Sequence, residues 1–166
     1  MRFSVLSFLF LALVGCSSTG GSKAPVTSIA SASPTPPVYQ VSQEKYQSSL
    51  KEIKALIQKL NTIIQNQDYQ TWLSYLDQAY IQAYSNPDYL AKLSDKPILK
   101  KNNIRLLTLE DYFSYVVVPS RSINEEVDDI TFIDENRVEA WMMIKNQKAL
   151  LYQLKLYGKE WKISYW

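Results

Sequence analysis

The sequence predicts an α+β domain, with helices first and an antiparallel sheet last. Three observations carry this. Apolar residues recur every three or four positions from Gln43 to about Leu93. The period changes to two from Val127 onward. The last 40 or so residues are cut by short polar breaks, which demand hairpins rather than crossovers.

The first helix is expected over about Gln43–Gln65, capped by Ser42, with Leu50, Ile53, Ile57, Leu60 and Ile64 as a stripe that Tyr46, Leu56 and Ile63 widen. Asn66-Gln67-Asp68 reads as a break with Asp68 as the next cap. A second helix then covers about Tyr69 to Tyr84, with Tyr69, Trp72, Leu73, Leu76, Ala79, Tyr80 and Ala83 on its apolar side. Asn86-Pro87 restarts a short helix through about Leu93, since proline suits a first turn and asparagine a cap. Residues 98–107 read as irregular or briefly extended. Thr108 and Asp111 open another short helix near 109–116. Val116-Val117-Val118 then favours an extended segment, ended by Pro119 and Ser120. Four strands follow, at about 127–133, 137–145, 149–157 and 160–166.

Alternation places Ile130, Phe132, Val138, Ala140, Met142, Ile144, Leu150, Tyr152, Leu154, Leu156, Trp161, Ile163 and Tyr165 toward the helices. The other face still carries Trp141, Met143, Leu151, Tyr157 and Trp166. So much apolar surface on an outer face is expected of a contact surface, for a second copy or another protein.

The N-terminus is of a different kind. Arg2 precedes a run from Phe3 to Val14 in which only Ser4 and Ser7 are polar. That is a charged start and an apolar core of signal-peptide length, too short to span a bilayer. It ends at Leu13-Val14-Gly15-Cys16, which resembles the bacterial lipobox. The resemblance implies cleavage before Cys16, a diacylglyceryl group on its thiol and, in that family, acylation (palmitate or similar) of the new amino group. Multiple acyl chains give stable anchoring where a single chain does not. The expected segments are a signal peptide at 1–15, a lipidated cysteine and disordered tether at 16–41, and a domain at 42–166. Residues 17–41 are rich in Ser, Thr, Gly, Pro and Ala, and such a chain reaches roughly 25–30 Å on average. Ser17 rather than Asp follows the cysteine. In enteric bacteria that resembles an outer-membrane sorting signal, so an outer-membrane or cell-surface address in the bacterial envelope is favoured.

Composition narrows the chemistry. The chain has 166 residues and a formal charge of +2; without Arg2 its 18 basic side chains become 17 against 16 acidic ones. A near-neutral domain lacks the basic face that nucleic acid requires. There is no histidine, and Cys16 is the single cysteine. Ser/His/Asp and Cys/His catalytic sets, zinc spacing and an internal disulfide are therefore excluded. With four glycines there is no glycine-rich phosphate loop. No cofactor and no metal are expected.

Twelve tyrosines and four tryptophans stand against two phenylalanines in the mature chain, Phe113 and Phe132. Aromatics with a polar handle suit half-wet contacts. Trp72, Tyr80, Tyr84, Tyr112 and Tyr152 are the candidate walls of a pocket for an amphipathic small molecule, or the boundary of a small core. Arg121 is a candidate carboxylate or phosphate clamp, or one half of an ion pair with Asp111, Glu125 or Glu126. Asp77 shares a helix side with Leu73 and Tyr80, and is with Asp111 a weak candidate for a general base. The alternative for Asp77 is a solvated helix position. The acidic run from Asn124 to Asp129 lacks the glycine of a calcium loop and reads as a solvated edge. Lys92, Lys96, Lys100, Lys101 and Arg105 form a basic stretch that faces solvent or an anionic surface.

The Tyr69-Gln-Thr-Trp72-Leu73-Ser-Tyr-Leu76 helix, the Asn86-Pro87-Asp88-Tyr89-Leu90 restart and the terminal Trp161-Lys162-Ile163-Ser-Tyr-Trp166 strand resemble the NTF2-like (SnoaL-like) superfamily. The resemblance implies a cone: a curved sheet wrapped on helices, a pocket at the open end, and dimers through the outer sheet face. That superfamily holds dehydratases, isomerases and non-catalytic binders, so the fold alone does not choose. Its enzymes typically place a His or Asp in the pocket, and this chain has no histidine. Three roles follow as expectations: a non-catalytic envelope lipoprotein that binds a partner protein or amphipathic ligand; a dehydratase- or isomerase-type enzyme using an Asp/Tyr set; or a structural component of the envelope.

Overall fold

The structure is a computed structural model that describes residues 39–121 and 125–166. The chain divides into two units, Met1–Thr35 and Pro36–Trp166, and the second carries every described residue. The proposed lipidation site Cys16, most of the tether and Asn124 lie outside the described residues.

The domain is α+β, as the periodicities predict. Its helices are α1 Gln43–Gln65, α2 Tyr69–Ser74, α3 Gln78–Tyr84, α4 Pro87–Ser94, α5 Pro97–Lys101 and α6 Leu109–Tyr112. A wide π-type turn, Phe113–Val117, leads on to α7 Val118–Ser120. Four strands follow: β1 Asp129–Phe132, β2 Arg137–Ile144, β3 Gln147–Tyr157 and β4 Glu160–Ile163. They form one antiparallel meander in the order β1-β2-β3-β4.

Local chemistry explains the ends. Ser42, Asp68, Asp77 and Asn86 each accept a hydrogen bond from the backbone three residues on and so cap α1 to α4. Thr108 and Asp111 form a reciprocal capping box at α6. The β2–β3 turn uses Lys145 and Asn146, both at positive φ, as a two-residue hairpin requires.

The core joins α1 to the inner sheet face. Ile53, Ile57, Leu60 and Ile64 are buried, as are Phe132, Val138, Ala140, Leu154, Trp161 and Ile163. Each such large side chain contributes roughly 1.5–3 kcal/mol of burial. Polar clasps fix the angle: the Tyr46 hydroxyl donates to Asp129 at 2.7 Å, and Trp161 Nε1 donates to Glu52 at 3.1 Å.

Four expectations need correction. The helix expected over 69–84 is two helices. Between them Leu76 forms a parallel bridge with Ile163: the Asp77 N–H donates to the Ile163 carbonyl and the Ile163 N–H to the Tyr75 carbonyl. That backbone pairing is incompatible with a continuous helix. Residues 98–107 contain α5, because Pro97 starts a helical turn instead of only ending the previous one. Val116-Val117-Val118 is helical, because Val117 packs into the core and tertiary contacts override strand preference. The fourth concerns the sheet. The β2–β3 register shifts between Ala140 and Trp141, so Leu151 is buried, 6% exposed, while Leu150 lies opposite Trp141 and is exposed.

The bulge exchanges one leucine for another on the outer face, whose middle is polar. Across its middle, Thr131, Glu139 and Gln153 stand in register, beside Arg137, Lys155 and Lys162. Trp141 is half-buried with its Nε1 on the Thr131 hydroxyl. Trp166 lies under the Arg137 guanidinium. Met143, Ile144 and Leu150 are 46%, 49% and 47% exposed at the β2–β3 tip, and Tyr157 and Trp166 are exposed away from it. Met142 is only half-buried, and Tyr165 is exposed past the end of β4.

Candidate functional site

Tyrosines from three helices and from the residues after β4 converge beside the end of β4. Tyr80 and Tyr84 come from successive turns of α3 and stack with centroids 4.2 Å apart. Tyr84 also meets Tyr112 of α6 at 5.0 Å, Tyr89 of α4 at 5.2 Å and Tyr165 at 5.6 Å. Below them Trp72 sits edge-on to Tyr80 and against Phe113. Such pairs add about 0.5–1.5 kcal/mol each beyond burial.

These rings wall a cavity of about 230 Å³, bounded by Tyr80, Tyr84, Tyr112, Arg121, Tyr152 and Gln153 with Leu150, Leu151, Ile163 and Ser164. Five of the six residues expected to line a pocket are thus brought together. Trp72 is the exception: at 1% exposure it is core beneath the wall. Tyr89 and Tyr165 extend the aromatic cluster and were not foreseen as part of it. Alternation assigned Tyr165 to the helix side, where it meets Tyr84 while staying half exposed; nothing in the spacing marked Tyr89.

Arg121 forms one side. Its guanidinium lies 4.4 Å from the Tyr152 ring, donates to Glu125 at 3.1 Å and to the Leu151 carbonyl at 3.3 Å. Glu125 is thus its partner among the three acids considered. Burial alone would lower the Arg121 pKa, but Tyr152 and Glu125 outweigh it and hold it above its ordinary value. The phenols are the reverse case. Burial raises Tyr80, and its hydrogen bond with Tyr112 adds to this. Burial also raises Tyr112, Tyr84 and Tyr152. All four stay neutral near neutral pH, able to donate and accept.

Four buried polar atoms among the described residues have no hydrogen-bond partner: Asn61 Oδ1, Trp72 Nε1, Arg121 Nε and the Tyr152 hydroxyl. Two of the four belong to this wall. An unsatisfied buried donor costs about 1–3 kcal/mol, so its retention asks for an explanation such as a ligand or water. A larger, shallower hollow of about 620 Å³ runs between α1 and β4 past Glu52, Lys59, Tyr75 and Trp161. There Trp161 Nε1 is bonded to Glu52 and Lys59 lies over Tyr75, so no comparable demand arises.

The two carboxylates considered as bases are committed elsewhere. Asp77 is 5% exposed, not solvated. One oxygen caps α3 at the Tyr80 N–H, and the other accepts from the Tyr157 and Ser164 hydroxyls. Asp111 accepts from the backbone N–H groups of Leu107 and Thr108, and these bonds hold it below the usual carboxylate range. The acidic run is likewise occupied within the described residues. Asp128 accepts from the Met143 N–H, and Asp129 holds Lys148 and Tyr46. No group of three acidic, cysteine or histidine side chains is arranged for a metal among the described residues.

With this geometry in place, relatives can be considered. The chain is similar to a lipoprotein. That relative, an "Uncharacterized lipoprotein" of Treponema pallidum (strain Nichols), is 37% identical over 124 residues, 75% of this chain. The chain spans 65% of the relative's length. The relative's name agrees with a lipid-anchored envelope protein and says nothing of a ligand or partner. No family model and no solved structure matches the chain. No helix among the described residues is long and apolar enough to cross a membrane.

Proposed function

We propose that this is a bacterial envelope lipoprotein, cut before Cys16 and lipid-anchored there. Its NTF2-like domain, in this reading, binds a small amphipathic ligand without catalysis. The observation that carries the ligand reading is the tyrosine-walled cavity with two buried, unpartnered polar atoms, Arg121 Nε and the Tyr152 hydroxyl. Glu125 neutralises Arg121. The wall therefore favours a neutral ring with hydroxyl or carbonyl acceptors, such as one sugar unit, over a bare anion. A cavity of about 230 Å³ suits a molecule of that size. The absence of catalysis is supported by the use of Asp77 and Asp111 as helix caps, and by the absence of histidine.

The test is titration of the unlipidated mature chain (Cys16→Ser) with neutral hexoses, N-acetylhexosamines and hexuronic acids, followed by NMR. Shifts of the Tyr84 and Tyr152 ring signals with neutral sugars, lost in Arg121→Gln, are expected. No shift at millimolar concentration from any of the three classes would remove the reading.

Pairing of two copies is a second reading, drawn from Met143, Ile144 and Leu150 at the hairpin tip. In sedimentation, Met143→Ser with Leu150→Ser converts a dimer to a folded monomer if this patch pairs. A wild-type monomer would leave the tip to another envelope protein.

A further inference from the structure

The two most exposed large apolar side chains of the described domain are Ile98, at 69%, and Leu107, at 68%. They sit in one segment, 95–107, remote in sequence from the sheet. From Asp95 to Asn103 every residue is exposed except Leu99, which alone roots α5 in the core. The chain then doubles back: the Ile104 N–H donates to the Leu99 carbonyl and the Leu106 N–H to the Ser94 hydroxyl. Leu99 and Leu106 turn inward, and their neighbours Ile98 and Leu107 stay in water. An isolated exposed leucine needs no explanation. Two within one short segment that also carries four exposed cations do.

Within the segment the charges are mostly positive, while the Asp111 carboxylate just beyond it accepts from the Leu107 N–H. Lys96, Lys100, Lys101 and Arg105 are all exposed within this segment, with Lys92 just before it. Asp95 is the single acid between Lys92 and Leu107, and its pairing with Lys100 is a loose 3.8 Å contact between two largely exposed groups. Such a pair neutralises little. The chain as a whole is nearly neutral, so this is a local concentration of positive charge, not a general bias.

We infer that the 95–107 turn is a membrane-docking face: its lysines and arginine meet anionic phospholipid headgroups while Ile98 and Leu107 enter the interface. Charge complementarity names the occupant. Each basic residue near an anionic surface is worth roughly a fivefold change in partitioning. Aliphatic tips placed among cations are the composition of an interfacial element, whereas a protein partner's contact core is depleted in lysine. The inference does not depend on the pocket reading. For a lipid-anchored chain its effect is orientation: the tether holds the domain near the bilayer, and this turn selects which side faces it.

The test uses the unlipidated mature chain (Cys16→Ser), so that no acyl chain contributes. Its co-sedimentation is measured with phosphatidylcholine vesicles and with vesicles in which roughly one-third of the lipid is phosphatidylglycerol. Binding to the second kind only is expected, weakening as salt is raised. Two variants separate the two parts of the face. Lys96→Gln with Lys100→Gln and Lys101→Gln reduces partitioning roughly a hundredfold. Ile98→Ser with Leu107→Ser reduces it at least about tenfold while leaving the thermal melt in place, since both side chains are exposed. A chain that ignores both vesicles overturns the inference and leaves the turn to a protein partner. Unchanged binding by either folded variant overturns it as well.

Discussion

Two buried polar clusters lie on either side of Ser164, and they differ in completeness. Around Asp77 every demand is met: the carboxylate takes bonds from the Tyr80 N–H, the Tyr157 hydroxyl and the Ser164 hydroxyl. Around Arg121 the demand is met only in part, because Nε and the Tyr152 hydroxyl find nothing. Both contain tyrosines, and both pair a largely buried charged group with them. The first is a joint that ties α3 to β4 and the end of β3. The second borders a cavity. Buried polarity alone does not mark a site; unpartnered polar atoms beside a cavity call for an occupant, water or ligand.

Four substitutions test this contrast. Asp77→Ala should cost the most, about 2–4 kcal/mol in urea unfolding, since it removes a cap and strands two hydroxyls. Tyr157→Phe takes away one bond to the same carboxylate and should cost about 1–2 kcal/mol in the same measurement. Asp111→Ala, a cap outside both clusters, should cost about 1 kcal/mol near neutral pH. Because the folded state holds Asp111 below its ordinary pKa, its contribution is present above the unfolded value. That contribution is lost as pH falls through the folded value, so the gap between wild type and variant should close in acid. Tyr152→Phe should have the smallest effect, within about 0.5 kcal/mol of zero or slightly stabilising, since the lost hydroxyl has no protein partner. A loss at Tyr152 as large as at Asp77 would erase the distinction on which the ligand reading rests.

What the sequence made legible follows from how local each signal is. Helix α1 was readable to both ends, because a 3.6 stripe and a serine cap lie within its own residues. The strands were readable to within a few residues, because alternation and turn chemistry are local too. The break at Asp77 was not, because the stripe runs on through it and the competing bond comes from Ile163, far along the chain. An aspartate three residues before Tyr80 was a cap signal of the right type, overridden in reading by the periodicity. The Leu150/Leu151 exchange was hidden because one extra residue at a bulge inverts the faces that alternation assigns. Five pocket residues were named from residue type alone, whereas the unpartnered Arg121 Nε and Tyr152 hydroxyl exist only in three dimensions.

The wide turn at Phe113–Val117 has a consequence for this cavity. It behaves as a one-residue insertion within a run that is otherwise helical from Leu109 to Ser120. Each residue of an α-helix advances the chain by about 100°. Deleting one residue here would close the turn and swing everything after it by about that angle relative to Tyr112. Tyr112 and Arg121, on opposite sides of the insertion, would then no longer face one space. One residue of helical register thus decides whether Tyr112 and Arg121 border the same cavity.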